Sequence, residues 1–345
     1  MIAAPLPMSD PDPDQGPQPP NLYASPEFLD VVAKIYFPAR RCCIEDFEVD
    51  GKLFRLLAVE GRGPLDHQVF LDIHEPLILP PAQSAPARKL RRLAGVSHGL
   101  VDLEEFRSSA SWAGFDGAPT VLWSGFETWT AYVDLLRSRH RHNLVDDQRR
   151  RRRLQEVAGP LQFDADDMKE DVLPTCFQWK SMRDREAART NWSRTDLFAR
   201  RENREFFCEM RSGGLLRAST LRAGGGLLAI WLGAVYQGRW SGWVFAFNPD
   251  PSLSKFSLGR QLLYSMVEQS YRSGHKEFDF SIGLEPYKLF FATHVRATAT
   301  LGTPTFRRQL VRLTKKVLGA RHALRVRVRL LQNLLGSGQA AVKRG

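Results

Sequence analysis

The stretch Phe278-Asp279-Phe280-Ser281-Ile282-Gly283-Leu284-Glu285-Pro286-Tyr287-Lys288 gathers groups able to do acid–base chemistry. Its apolar start reads as a buried strand over 277–282 that ends at Gly283 and opens into a loop with Glu285, Tyr287 and Lys288. A carboxylate, a phenol and an amine at one strand end can take a proton, give one and hold an anion. Just upstream, Leu262, Leu263, Met266, Val267 and Ser270 have helical spacing and predict a helix over 258–273, closed by Gly274. Ser257, Gly259 and Arg260 stand at its start. The dipole and free N–H groups of a helix start favour an anion, a glycine there lets the backbone come close, and Arg260 adds charge. Together the two features predict an anion site beside acid–base groups.

These groups need a scaffold. Three strands are predicted over 215–222, 227–236 and 240–247, with turns at Gly224-Gly225-Gly226 and Gln237-Gly238-Arg239, so they form an antiparallel meander. The helix over 258–273 follows, then the strand over 277–282, a short helix from Tyr287 and a strand over 295–301. Upstream, a helix is expected over 184–210 and a long basic one over 126–157, apolar at Tyr132, Leu135 and Leu136 and interrupted by Gly159-Pro160. Strand-like runs fall over 49–60, 69–79 and 120–123. The triple glycine reads as a hairpin turn rather than a phosphate loop, and no Gly-x-Ser-x-Gly elbow is present.

The chain has 345 residues, 43% hydrophobic and 25% charged, as a globular protein of two domains would. Met1 to Pro20, rich in Pro and Asp, is expected to be disordered and lacks the apolar core of a secretory signal. No apolar run approaches a membrane span. The four cysteines and eight histidines show no metal-ligand spacing, so no metal is expected and the thiols suit a reducing cytoplasm. The formal charge is +11, and the stretch from Arg307 onward carries eleven Lys/Arg and no Asp or Glu. A second basic cluster runs from Arg137 through Arg149-Arg150-Arg151-Arg152-Arg153. Solvated helix faces account for both. Attraction to an anionic membrane, a phosphorylated acceptor or nucleic acid is the sharper alternative.

Trp179-Lys180, Leu215-Leu216-Arg217, Ser257-Leu258-Gly259, Phe278-Asp279-Phe280 and Gly283-Leu284-Glu285-Pro286-Tyr287-Lys288, in this element order, resemble the acetyltransferase-like domain of bacterial polysaccharide- and cellulose-associated GNAT proteins. That group is related to the Fem-type transferases of peptidoglycan synthesis. The family usually has Ser-Pro-Gly where this chain has Ser257-Leu258-Gly259. In the first half, Asp72-Ile73-His74-Glu75-Pro76-Leu77 looks like a looser copy of an Asp-Tyr-x-Asp-Pro-Leu segment.

The resemblance implies an α/β fold of tandem GNAT-like domains with mixed central sheets. The expected division is a disordered 1–20, a first domain over 21–158, an acyltransferase domain over 159–306 and a basic helical tail over 307–345. It implies acyl-CoA or acetyl-CoA as co-substrate, its pantetheine between two splayed strands and its diphosphate at Ser257, Gly259 and Arg260. On this reading Glu285 is the base, Tyr287 the acid that meets the thiolate, and Lys288 the holder of an acceptor anion. Trp179, Lys180 and Asp279 are expected near the acceptor. Each has a structural alternative: Glu285 charging a helix start, Tyr287 and Trp179 packing, Lys288 paired with Asp279, or Asp279 paired with an Arg. The expected activity is acyl transfer to an amine or hydroxyl of a saccharide or cell-envelope precursor, in the cytoplasm or at the inner membrane face through the basic tail. Two alternatives stand beside it: a Fem-type transferase that uses charged tRNA, and an inactive scaffold in a polysaccharide synthesis complex. DNA is not an expected partner.

Overall fold

The computed structural model describes residues 22–49, 52–61, 63–64, 77–79, 88–90, 92–112, 115–190 and 195–302. The expected disordered start, the Asp72–Pro76 segment and the basic tail from Arg307 lie outside them.

A helix α1 (Pro26–Tyr36) leads into a small sheet of β1 (Cys42–Val49), β2 (Lys52–Val59), β3 (Gly63–Pro64), β4 (Leu77–Leu79) and β5 (Arg88–Lys89). β1 and β2 pair antiparallel from Val49↔Lys52 outward, so the run expected over 49–60 corresponds to β2, with Val49 the last residue of β1.

The large sheet holds β6 (Arg92–Asp102), β7 (Asp116–Leu122), β8 (Leu161–Asp164), β9 (Arg217–Ala223), β10 (Gly226–Tyr236), β11 (Arg239–Phe247), β12 (Glu277–Asp279) and β13 (His294–Gly302). Its eight strands run in the order β6-β13-β7-β12-β11-β10-β9-β8. It therefore takes β6 and β7 from before residue 158 and the rest from after it. The remaining helices are α2 (Leu103–Ser108), α3 (Trp129–Ala158), α4 (Val172–Thr190), α5 (Arg201–Ser212), α6 (Leu258–Arg272) and α7 (Pro286–Phe291).

The meander β9-β10-β11 is antiparallel, as the turns demand. Gly224 and Gly225 have φ of 55° and 81°, and Gln237 and Gly238 have 47° and 85°. Positive φ at both central residues is the type I′ geometry that matches strand twist. The expected helix over 184–210 is instead two helices, α4 and α5. Asp196 lies between them: its carboxylate accepts from the Phe198 N–H and takes Ser181 and Arg185, a capping role that a helix interior would forbid.

Each face of the large sheet is covered. α1, α4 and α5 pack on one side, with Phe28, Cys176, Phe206 and Met210 against Ile230, Leu232 and Val244. α3, α6 and α7 pack on the other, with Tyr132, Leu154, Leu262, Met266 and Phe291 against Leu221, Ala229, Trp231 and Phe278. The α6 face expected from spacing, Leu262, Leu263, Met266, Val267 and Ser270, is buried. α3 bends at His140, whose φ of −144° and ψ of 37° are not helical.

Candidate active site

The site begins where two parallel strands part. β11 and β12 pair only over Arg239↔Glu277, Trp240↔Phe278 and Ser241↔Asp279. The strand expected to reach Ile282 stops at Asp279 because the chain turns there. The Asp279 carboxylate accepts the Ser281 N–H at 2.7 Å, and Ser281 takes a φ of 62°. The backbone then follows β7 instead, with Phe280 N–H on the Pro119 carbonyl and Gly283 N–H on the Gly117 carbonyl. Gly242 to Phe247 of β11 thus lie beyond the reach of β12.

At the outer end of this wedge is a cleft of about 430 Å³ lined by Arg150, Phe247, Ser254, Ser257, Leu258, Gly259, Arg260 and Tyr287. The structure therefore brings together Ser257, Gly259 and Arg260 with Tyr287. Ser257 is the N-cap of α6 in a left-handed conformation, with φ 54° and ψ 51°, and its side chain caps nothing. Its Oγ instead accepts from Arg150 Nη1 at 3.3 Å. Gly259 is also constrained by packing. A Cβ there would lie 2.0 Å from Cζ of Phe245, so packing on β11 already excludes a side chain.

One arginine of the α3 cluster read from sequence as a solvated face, Arg150, lines this cleft. Arg150 and Arg260 both meet Asp147, Arg260 at 3.0 Å and Arg150 at 3.4 Å. Tyr264 OH donates to Asp147 at 3.1 Å, and Gln261 Nε2 donates to the Asp147 carbonyl at 3.1 Å. Burial first, then the Asp147 carboxylate, push the Tyr264 hydroxyl far above its ordinary range, so it stays a donor. Arg260 lies over the Phe290 ring at 4.9 Å, and His140 stacks on the same ring at 4.7 Å. Burial, then Arg139, Arg107 and Arg260, push the His140 pKa down, which keeps a further charge away from Arg260. From α4, Arg183 covers the Phe247 ring at 4.7 Å. One sequence signal could have found this hub. Asp147 falls on the buried α3 stripe with Leu136 and Leu154, and a carboxylate on an apolar stripe needs a partner.

The other candidate residues sit elsewhere. Glu285 is the N-cap of α7, and its half-exposed carboxylate folds back over Gly283, whose added Cβ would be 2.4 Å from it. Lys288 is buried, with its amine 3.0 Å from Glu285 and donating to the Ile282 carbonyl at 2.7 Å. It clamps the loop, and its ion-pair partner is Glu285, not Asp279. Asp279 is fully buried between Arg239 and Arg296. Burial raises its pKa, but the two arginines outweigh that and hold it below the usual carboxylate range. Arg239 and Arg296 also bind Glu277, at 2.9 and 2.8 Å, so Asp279 belongs to a four-membered ionic core of the sheet rather than to an acceptor site. Trp179 packs in the cluster on the opposite sheet face, and Lys180 pairs with buried Asp184. Neither lines the cleft.

Among the described residues no cluster of His, Cys, Asp or Glu could hold a metal, and no helix is long and apolar enough to cross a membrane.

Comparison with known proteins agrees with the sheet. The acetyltransferase (GNAT) domain family matches residues 125–289, from the lead-in to α3 through most of α7. No curated protein matches the chain. Three solved structures share loose similarity. The C-terminal domain of a putative lysylphosphatidylglycerol synthetase from Agrobacterium fabrum is 13% identical, with 85% of this chain and 96% of that one covered and a TM-score of 0.43. L-PGS from Bacillus licheniformis is 10% identical, with 65% and 71% covered and a TM-score of 0.35. A conserved protein of unknown function from Bacteroides thetaiotaomicron is 12% identical, with 59% and 68% covered and a TM-score of 0.37. Residues 125–289 are thus similar to a GNAT-type acetyltransferase domain, and the mixed α/β sheet is consistent with that fold.

Proposed function

We propose that the chain transfers an acyl group from an acyl-CoA to an amine or hydroxyl. One observation carries this reading: the basic cleft at the α6 start lies at the open end of the β11–β12 wedge and is shared with Tyr287. The diphosphate would meet Arg150, Arg260, the Ser257 hydroxyl and the first amides of α6. The pantetheine would lie along β11 from Phe247 toward Gly242, roughly 16 Å at the usual strand rise. Attack of the acceptor on the thioester carbonyl breaks the C–S bond, and Tyr287 gives its proton to the departing thiolate. Glu285, half exposed, takes the acceptor proton through a water. A saccharide or cell-envelope acceptor rests on the motif resemblance alone.

Calorimetric titration with CoA tests the donor site. Wild type should bind, and Arg150→Ala and Arg260→Ala should each weaken binding by about tenfold, as loss of a charged hydrogen bond does. Wild-type affinity in both variants would refute the placement.

A second reading, aminoacyl transfer from tRNA, is favoured by the position of Arg150. The exposed Arg149, Arg152 and Arg153 continue from it along α3, as a phosphate backbone would require. Competition of tRNA with CoA at moderate salt would support that reading, and independent or absent tRNA binding would remove it. For the basic tail we propose salt-sensitive contact with anionic membrane. Equal sedimentation with anionic liposomes by full-length protein and a form ending at Ala320 would refute it.

A further inference from the structure

Asp147 is 2% exposed, yet it holds two side chains that reach the cleft, Arg150 at 37% and Arg260 at 21% exposure. It binds α6 with both its side chain and its backbone. The carboxylate takes Arg260 and Tyr264, and the carbonyl takes Gln261, itself 1% exposed. Residues 260, 261 and 264 lie along one side of the first turns of α6, so this one residue of α3 sets where the helix start sits against the basic helix. Arg150 completes the link by also donating to Ser257.

Two guanidiniums side by side on a cleft wall repel and would swing apart into water. A buried carboxylate between them removes that repulsion and uses one N–H group of each. A guanidinium has five such donors in a fixed fork, so even with the Arg150 bond to Ser257 most of them remain for a ligand. We propose that Asp147 is a positioning residue for the acyl donor: it presents Arg150 and Arg260 as a pair aimed at one diphosphate. This rests on the donor site proposed above.

Loss of the Asp147 charge should act with the opposite sign to simple electrostatics. Asp147→Asn removes a negative charge next to the site. If the cleft merely attracted anions by net charge, the variant would bind them more tightly. If Asp147 positions the arginines, the variant binds them less tightly despite its added positive charge. The experiment is calorimetric titration of wild type and Asp147→Asn with CoA and with inorganic pyrophosphate, alongside circular dichroism to confirm the fold. The expected result is weakening by about ten- to a hundredfold, the range found when an outer partner of a metal ligand is lost. The donor KM should rise, with kcat at saturating donor little changed. Equal or tighter binding by a folded Asp147→Asn protein overturns the proposal while leaving the donor site in place. Absence of CoA binding in wild type instead overturns the donor site and this inference with it. If Asp147→Asn does not fold, Tyr264→Phe decides, because it removes one bond to the carboxylate and leaves both arginines. Severalfold weaker CoA binding supports the positioning role, and an unchanged Kd overturns it.

Discussion

Asp279→Asn should destabilise the protein strongly at neutral pH and hardly at all in acid. The side chain is fully buried, and its carboxylate faces Arg239 and Arg296, with Glu277 as the second anion of the group. With Asp279 in place, two cations face two anions. The substitution leaves a buried cation in excess, and breaking one side of a buried ion pair costs about 3–5 kcal/mol. That is a large share of a total stability of roughly 5–15 kcal/mol, and it lowers the melting temperature on the order of 10 °C. The pH dependence follows from the depressed pKa of Asp279. Its stabilisation is complete above the unfolded value of about 3.9 and is lost as pH falls through the lower folded value. The gap between wild type and variant should therefore close below about pH 4. Asp167 and Asp196 are also held below the usual range, so wild type weakens in acid for other reasons too, and only the difference between the proteins isolates Asp279. Urea unfolding at pH 7 and through pH 5 to 3, followed by circular dichroism, measures it. A gap under about 1 kcal/mol at pH 7, or one that stays constant into acid, would refute the ionic-core role.

Gly259→Ala should destabilise by about 1–3 kcal/mol, because its Cβ would lie 2.0 Å from Phe245, and adding Phe245→Leu should recover part of that loss in thermal unfolding. Tyr287→Phe should lower turnover by about one to three orders of magnitude with donor affinity little changed, as loss of an acid does. Full turnover in a folded variant would return Tyr287 to a packing role.

Most of the large sheet after residue 215 was legible in the sequence, for a local reason. The glycines at 224, 225 and 238 mark the hairpins, and α6 shows a clean apolar stripe. The strand end at Asp279 was not legible, because it depends on a side chain that turns back onto the Ser281 N–H. Nor was the partner of β12 on its other side: β7 comes from far upstream, and no local pattern announces that pairing. Of the residues lining the cleft, Ser257, Arg260 and Tyr287 are legible as candidates because a helix start and a strand end can be read one element at a time. Arg150 and Asp147 were missed because their role exists only once α3 lies against α6. The partners of Lys288 and Asp279 were left open between a ligand and an ion pair, because composition cannot tell a charge that meets a ligand from one that closes a loop or a sheet.

The most direct test of the donor site is hydrogen exchange of the wild-type protein with and without saturating acetyl-CoA. Slowed exchange is expected at the start of α6, residues 257–263, and in the outer half of β11, with the far face at α5 unchanged. Acetyl-CoA binding that leaves 257–263 unprotected, or protects only other segments, would contradict it.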